Sequence, residues 1–176
     1  MIQSMKIVKE VIKLDWTKLF NMQAKLDQYI AENHKLTEKD NLVSKRYLAL
    51  LVELGELANE TRCFKFWSTK APSHNDVILE EYVDGVHFIL SLGLELGYRF
   101  HSSSPIKVVD QSLTDQFNAV FAACTSFNAT PDITHYEALF VRFLELGQLL
   151  GFTEADIQTA YMKKNEVNFE RQDAGY

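Results

Sequence analysis

Two pairs of acidic residues stand at helical spacing in the first half of the chain. Glu53 and Glu56 are three residues apart, and Glu81 and Asp84 repeat the spacing further along. Residues three apart lie on one face of a helix, so each pair would present two carboxylates side by side. Oxygen-only groups of this kind bind hard cations such as Mg²⁺. The chemistry they favour is cleavage of a phosphate ester or anhydride.

Solvation is the ordinary alternative, because acidic residues at helical spacing usually mark the wet face of an amphipathic helix. Around the second pair, however, apolar residues cover most of the helix circumference. Carboxylates on a mostly buried helix repel each other and shift toward the neutral form unless a cation compensates them. If the two helices pack antiparallel, the four carboxylates could meet at one point. The polar stripe of the later helix holds Glu81, Asp84, His87, Ser91 and Glu95, with Phe88 also on it.

The elements that must position these pairs are all predicted to be helices. Seven Gly and three Pro leave few turns, and the intervals between them carry apolar residues at three- and four-residue steps. We predict an all-α fold, a single helical bundle over residues 1–176 with a metal site between helices. Four of the predicted helices are Trp16–Asn33, Ser44–Thr61, Leu113–Phe127 and His135–Leu150. Another is capped by Asn75 or Asp76 and continues to about Gly97. The last begins at a capping box formed by Thr153 and Asp156 and ends near Phe169.

The segments between the helices are predicted from polar and helix-breaking residues. An aromatic, basic loop follows the second helix over Arg62–Pro72, and Ser102-Ser103-Ser104-Pro105 breaks the chain after the third. The last residues, Glu170–Tyr176, are polar and are predicted to be extended.

Composition limits the class of protein. The chain of 176 residues is 47% apolar and 24% charged, as in soluble globular domains, and its net charge of -6 argues against a nucleic-acid-binding surface. No apolar stretch reaches the roughly 18 residues that span a bilayer. The first residues lack an uninterrupted signal-peptide core, which predicts a cytoplasmic protein without membrane partners. Cys63 and Cys124 have no metal-binding or redox spacing and are predicted to be reduced thiols.

The flanks of the acidic pairs resemble the dimeric dUTPases of the all-α nucleoside triphosphate pyrophosphatase superfamily. The resemblance extends from Gln23 to Tyr176, although residues 105–152 contribute helical pattern without a motif. It departs from the family at Asp27, where some members carry Asn, and at Phe64, where some carry Trp. The matching segments are Met22–Asp27, Glu53–Glu60, Phe64–Trp67, Glu81–Phe88 and the pattern Tyr161-x-x-Lys164-Asn165-x-x-Asn168-x-x-Arg171-Gln172-x-x-Gly175-Tyr176.

The resemblance implies a magnesium-dependent enzyme that hydrolyses dUTP to dUMP and pyrophosphate with a metal-activated water, and that also accepts dUDP. It implies a homodimer with its sites at the subunit interface, and a closing tail over residues 170–176. By position, Mg²⁺ would be held by Glu53, Glu56, Glu81 and Asp84. The nucleoside would be contacted by Gln23 and Asp27, its uracil pocket would be lined by Trp67, and its deoxyribose pocket would be shaped by His87 and Phe88. The phosphates would be met by Lys65, Lys164 and Arg171, with Asn168 in the same segment.

The residues also leave alternatives open. Glu53 could be the base that deprotonates the water, or all four carboxylates could be ligands only. A related pyrophosphatase acting on dCTP or a noncanonical nucleotide shares the acidic signature. Asp84-x-x-His87 would suit a non-hydrolytic metal carrier or di-iron bundle, although that class uses Glu-x-x-His on two helices. A helical interaction module with solvated acidic pairs is the last alternative.

Overall fold

The protein is described by a computed structural model over residues 14–37, 40–101 and 110–175. Within these ranges it forms six helices and no strand, as the all-α prediction requires. No helix in them is both long and apolar enough to cross a membrane. The predicted break at Ser102-Ser103-Ser104-Pro105 and the terminal Tyr176 lie outside the described residues. The helices are α1 (Trp16–Asn33), α2 (Leu42–Thr61), α3 (Asn75–Leu96), α4 (Leu113–Ala129), α5 (Ile133–Leu149) and α6 (Glu154–Asp173).

The N-cap of helix α3 is His74, which lies one residue before Asn75 and two before Asp76, the two predicted caps. The backbone carbonyl of His74 accepts from the amides of Val77 and Ile78 at 3.1 and 3.2 Å, so His74 is the N-cap. Its own side chain makes no capping bond. The prediction was wrong because backbone bonds to His74 start the first turn without a side-chain acceptor.

Helix α6 begins as predicted and ends later than predicted. Thr153 accepts from the Asp156 amide at 3.2 Å and Asp156 accepts from the Thr153 amide at 2.9 Å, which confirms the capping box. The helix continues to Asp173, so the prediction of an extended segment from Glu170 was wrong. Contacts with α1 and its C-cap stabilise the additional turn: the C-cap residue His34 bonds to Gln172 at 2.8 Å, and the rings of Tyr29 and Phe169 lie 5.3 Å apart.

Helix α3 is the central element and packs against α1, α2, α5 and α6. Tyr82 stacks on Phe143 of α5 with ring centroids 4.6 Å apart, and its hydroxyl donates to the Phe143 carbonyl at 3.2 Å. At Gly85 the two helices approach so closely that a Cβ atom would lie 2.6 Å from the Phe143 ring. The absence of a side chain at Gly85 therefore sets the depth at which α3, and with it Asp84, sits in the bundle.

Candidate active site

Three carboxylates from two helices come together where α2 packs against α3. Glu53 of α2 and Glu81 and Asp84 of α3 each offer an oxygen, and these atoms lie within 4.8 Å of one another. All three side chains are half-buried. The fourth predicted ligand, Glu56, is exposed and does not belong to this group in the described part of the chain. The α2–α3 contact thus joins the two acidic pairs into one site, with Glu56 at its edge.

The cluster holds protons more tightly than isolated carboxyl groups do. Burial, followed by the charges of Asp84, Glu56 and Glu81, raises the pKa of Glu53 to about 7. Burial and the neighbouring acids also raise the pKa of Glu81. Burial raises the pKa of Asp84, although Lys164 acts in the opposite direction. Concentrated negative charge of this kind is relieved by a proton or by a cation.

Lys164 of α6 supplies positive charge at the edge of the cluster. Its Nζ lies 2.7 Å from Asp84 Oδ2 and 2.8 Å from Glu80 Oε1, and its side chain is largely buried. The two carboxylates raise the pKa of Lys164 despite its burial. The resemblance implies that this lysine meets phosphate, and the structure pairs it with acidic side chains instead. Glu80 was not predicted, and its position beside Glu81 was the only signal in the sequence.

Two further predicted residues follow Lys164 on α6. Arg171 is exposed, and its charge lowers the pKa of both Glu80 and Asp84, so it lies within electrostatic reach of the site. Asn168 is half-buried between them along the helix. Because α6 extends to Asp173, Lys164 and Arg171 can share a face, as the prediction for this segment required.

A buried polar network lies beside the cluster, between α1, α3 and α6. At its centre is Gln23, which is 3% exposed. The Gln23 amide nitrogen donates to Asp27 Oδ1 at 2.8 Å and to Ser91 Oγ at 2.9 Å. The Gln23 amide oxygen accepts from the Tyr161 hydroxyl at 2.7 Å and lies 2.7 Å from His87 Nδ1. Gln23 therefore bonds to side chains of all three helices, of which Tyr161 and Ser91 had no predicted role.

His87 is held by this network in a neutral state. Burial, with a smaller effect from Lys164, lowers the pKa of His87 to about 3. Its ring stacks on Tyr161 with centroids 4.1 Å apart. Two buried atoms, His87 Nε2 and Asn165 Nδ2, have no hydrogen-bond partner among the described residues. His87 is not in the carboxylate cluster of those residues, which weighs against a metal site built on Asp84-x-x-His87.

Asp27 is a second buried acid in the network. It accepts from Ser91 Oγ at 2.7 Å, and Arg46 of α2 lies 3.4 Å from its other oxygen. Burial raises the pKa of Asp27, while Arg46 and the hydrogen bonds lower it. Arg46 also pairs with Glu95. Nothing in the sequence indicated Arg46, whereas Ser91 and Glu95 stood on the polar stripe of α3.

The loop after α2 presents exposed aromatic rings. Arg62 ends α2 in a left-handed conformation with φ 56°, and its guanidinium donates to the Lys70 carbonyl at 3.0 Å and to Ser68 Oγ at 2.5 Å. Trp67 is 64% exposed and packs edge-on against Phe66 at 4.9 Å. The loop also carries Phe64, and the Lys65 amine lies 5.5 Å above its ring and bonds to Asn59. Phe88 of α3 is half-buried against the hydrophobic core.

The fold and the site together define an all-α protein that carries an oxygen-only acidic cluster between two packed helices. A protein-family model described as dUTPase matches residues 15–176, and the chain belongs to this family. The description of the family names its activity as dUTP hydrolysis. No curated protein matches the chain significantly.

Proposed function

We propose that this protein hydrolyses dUTP to dUMP and pyrophosphate in a magnesium-dependent reaction, with dUDP as a second substrate. The observation that carries the proposal is the cluster of Glu53, Glu81 and Asp84 inside an all-α chain that a dUTPase family model matches over residues 15–176. Family membership supports nucleotide hydrolysis, and the carboxylates support the choice of a divalent cation.

The donor set of the cluster fits Mg²⁺. Its ligand atoms are all carboxylate oxygens, the type that hard divalent cations prefer, and it contains no sulfur or imidazole. Glu53, Glu81 and Asp84 would hold the ion, and the exposed Glu56 would join them from the edge. When bound, Mg²⁺ supplies Lewis-acid stabilisation of negative charge on the phosphates.

Glu53 is proposed as the group that accepts the proton of the attacking water. In the metal-free cluster, burial with three neighbouring acids raises the pKa of Glu53 to about 7. A bound cation would lower this value, and the second carboxylate oxygen would remain able to accept a proton. The proposal therefore assigns Glu53 a ligand role and a proton-accepting role, as in the sequence prediction.

The residues that would bind the rest of the substrate are assigned by their location. We propose that Lys164, Asn168 and Arg171 bind the phosphates, with phosphate oxygens replacing the carboxylates of Glu80 and Asp84 as partners of Lys164. Lys65 would reach them from the loop. Trp67 would stack on the base, because exposed aromatic faces bind bases by stacking. His87 and Phe88 would face the deoxyribose, with Gln23 and Asp27 behind them.

A homodimer in the cytoplasm completes the proposal. Exposed apolar side chains on α2 and the following loop support an interface: Leu48 is 62% exposed, Val52 48% and Phe66 93%. An apolar surface of this kind commonly marks a binding face.

The test is a panel of dUTP, dUDP, dCTP, dTTP and the ribonucleotide UTP, assayed with Mg²⁺ and with a chelator. We expect dUTP to have the highest kcat/KM and the chelator to abolish turnover. Glu53→Gln should lower kcat by about 100-fold or more, as expected when a base is removed. Glu137→Gln, an exposed acid on α5 outside the cluster, is the matched control. A preference for dCTP, or full activity of Glu53→Gln, would refute the proposal.

A further inference from the structure

An open groove runs between α3 and α6, and no side chain of the described residues fills it. It encloses about 640 Å³. Its floor is apolar, with Leu79 and Val83 from α3 and with Ala160 and Val167 from α6. Val77 also lines the groove and is 40% exposed. The volume is that of several side chains, and an exposed apolar surface of this kind marks a binding face.

Carboxylates stand at the end of the groove where the two helices begin. Asp76 lies in the first turn of α3 and Asp156 in the first turn of α6, and both line the groove. Lys163 lines it further along α6, where Lys164 is already paired with Glu80. Because the starting end is acidic and the floor is apolar, the occupant that fits the groove is a segment that is both basic and apolar.

The described part of the chain begins beside this acidic end. The amide of Leu14 donates to Glu154 Oε2 at 2.7 Å, and Glu154 directly precedes Ala155 and Asp156, which line the groove. Thirteen residues precede Leu14. As a helix they would extend over about 20 Å, close to the roughly 18 Å that α6 covers between Ala155 and Val167. The segment before Leu14 is therefore attached at the right place and has the right length.

Residues 1–13 also match the groove in apolar pattern and in charge. In a helix, steps of three and four residues place one apolar face along the segment. Its members are Met1, Met5, Val8 and Ile12. The lysines of the segment fall outside this face and are Lys6, Lys9 and Lys13. A helix this short is marginal in water, so it needs a surface on which its apolar face can pack.

A smaller cleft between α5 and α6 is the other apolar surface beside Leu14. It encloses about 210 Å³, with Trp16 and Leu144 among its lining residues. This volume is a third of that of the groove and is too small for an apolar face of four side chains. The carboxylate that lines the cleft, Glu154, already accepts from the Leu14 amide. Size and charge therefore both favour the groove between α3 and α6.

We propose that residues 1–13 dock as an amphipathic helix in the groove between α3 and α6 of the same chain, with their apolar face on its floor and their lysines beside its acidic end. The attachment at Leu14 makes the contact intramolecular, which raises the effective concentration of the segment at the groove. Docking would hold α6 against α3 next to Lys164. The inference goes beyond the proposed function and does not depend on it.

The first test is zero-length carbodiimide cross-linking of the full chain, read by mass spectrometry. This reagent joins a lysine amine to a carboxylate that is in contact with it. We expect links from Lys6 or Lys9 to Asp76, Glu80 or Asp156, in protein that keeps the mass of a single chain. The absence of these links would overturn the proposal. Their presence only in covalent dimers would also overturn it, because the occupant would then be the segment of a second copy.

The second test compares hydrogen exchange in two full-length variants that add the same charge to the segment. Val8→Asp places a carboxylate on the apolar face, whereas Gln3→Asp, the matched control, places it outside that face. Amides of α3 and α6 along the groove should exchange about 5-fold or more faster in Val8→Asp, and within about 2-fold of the wild type in Gln3→Asp. Unchanged exchange in Val8→Asp would refute docking. Faster exchange confined to α5 would place the segment at the smaller cleft and would refute the assigned groove.

Discussion

Glu53 links the stability of the protein to pH. Its pKa is about 7 in the folded chain against 4.5 for a free glutamate, so the folded state binds the proton more tightly than the unfolded state. Between these values stability must fall as pH rises, because the native state gives up a proton that it holds favourably. This loss of folding stability is complete above about pH 7 and absent below about pH 4.5.

Replacing Glu53 with Gln should therefore stabilise the metal-free protein above pH 7. We expect a gain on the order of 1 kcal/mol, since solvent screening at a half-exposed site reduces the effect of the pKa shift. Urea unfolding in a chelator at about pH 8 and about pH 5, on either side of the shifted pKa, measures it. The gain should be small at the lower pH, and an equal gain at both values would contradict the assigned cause.

Lys164 provides a second prediction for a single residue. Its ion pairs with Asp84 and Glu80 place a cation directly at the edge of the carboxylate cluster. Lys164→Gln should lower kcat/KM for dUTP by about 10- to 100-fold, because charge-assisted bonds to phosphate are among the stronger ones. Lys163→Gln, its exposed neighbour, is the matched control and should stay within about 3-fold of the wild type. Equal losses in the two variants would mean that only the overall positive charge matters.

The helices themselves were largely predictable, because their signals are local. The apolar spacing gave α1 its observed limits, and Thr153 with Asp156 marked the start of α6. The last turn of α6 was missed because its contacts come from Tyr29 of α1 and from His34, the C-cap of α1, far away in the sequence. Local polarity over residues 170–176 resembled that of an extended end and carried no sign of those partners.

Only those parts of the site that lie together on one face of a single helix were predictable from the sequence. Spacing placed the carboxylates of each pair side by side, and an assumed antiparallel packing joined the pairs. The partners of Lys164 and Gln23 depend on how three helices meet, which no local pattern contains. Asp84 and Tyr161 bond to residues on other helices, and those contacts exist only once the bundle is assembled.

At the scale of the elements, alanine substitutions at two glycines on facing helices are expected to change stability in opposite directions. Gly85 of α3 has the Phe143 ring where a Cβ would go, whereas Gly55 of α2 has no atom within 4 Å of that position. Gly85→Ala should destabilise by about 1–3 kcal/mol through overpacking. In the separated protomer, Gly55→Ala should stabilise by roughly 0.5–1 kcal/mol, because alanine favours the helix. Thermal unfolding without metal, at a concentration where the protein is monomeric, measures both variants. A destabilised Gly55→Ala in the monomer would contradict the prediction.

At the scale of the whole molecule, three parts of the bundle carry the residues that are proposed to bind substrate. The α2–α3 contact carries the acidic cluster, α6 carries the basic residues, and the network of Gln23 ties α1 to both α3 and α6. Cation binding at the cluster would therefore stabilise a contact on which the entire arrangement of helices depends. A ligand that binds only the folded state raises its stability in proportion to the logarithm of its concentration.

Magnesium should raise the melting temperature, and more at about pH 8 than at about pH 6. Mg²⁺ must displace the proton of Glu53, whose pKa is about 7, so protons compete with the ion at the lower pH and hardly at the higher one. Differential scanning calorimetry across a magnesium titration at both pH values gives the two apparent affinities, which we expect to differ by about tenfold for one displaced proton. In Glu53→Gln the difference between the two pH values should largely disappear. An equal rise of the wild-type melting temperature at both pH values would show that the ion binds without Glu53. Size-exclusion chromatography with light scattering on the same samples would report whether the dimer forms with or without Mg²⁺.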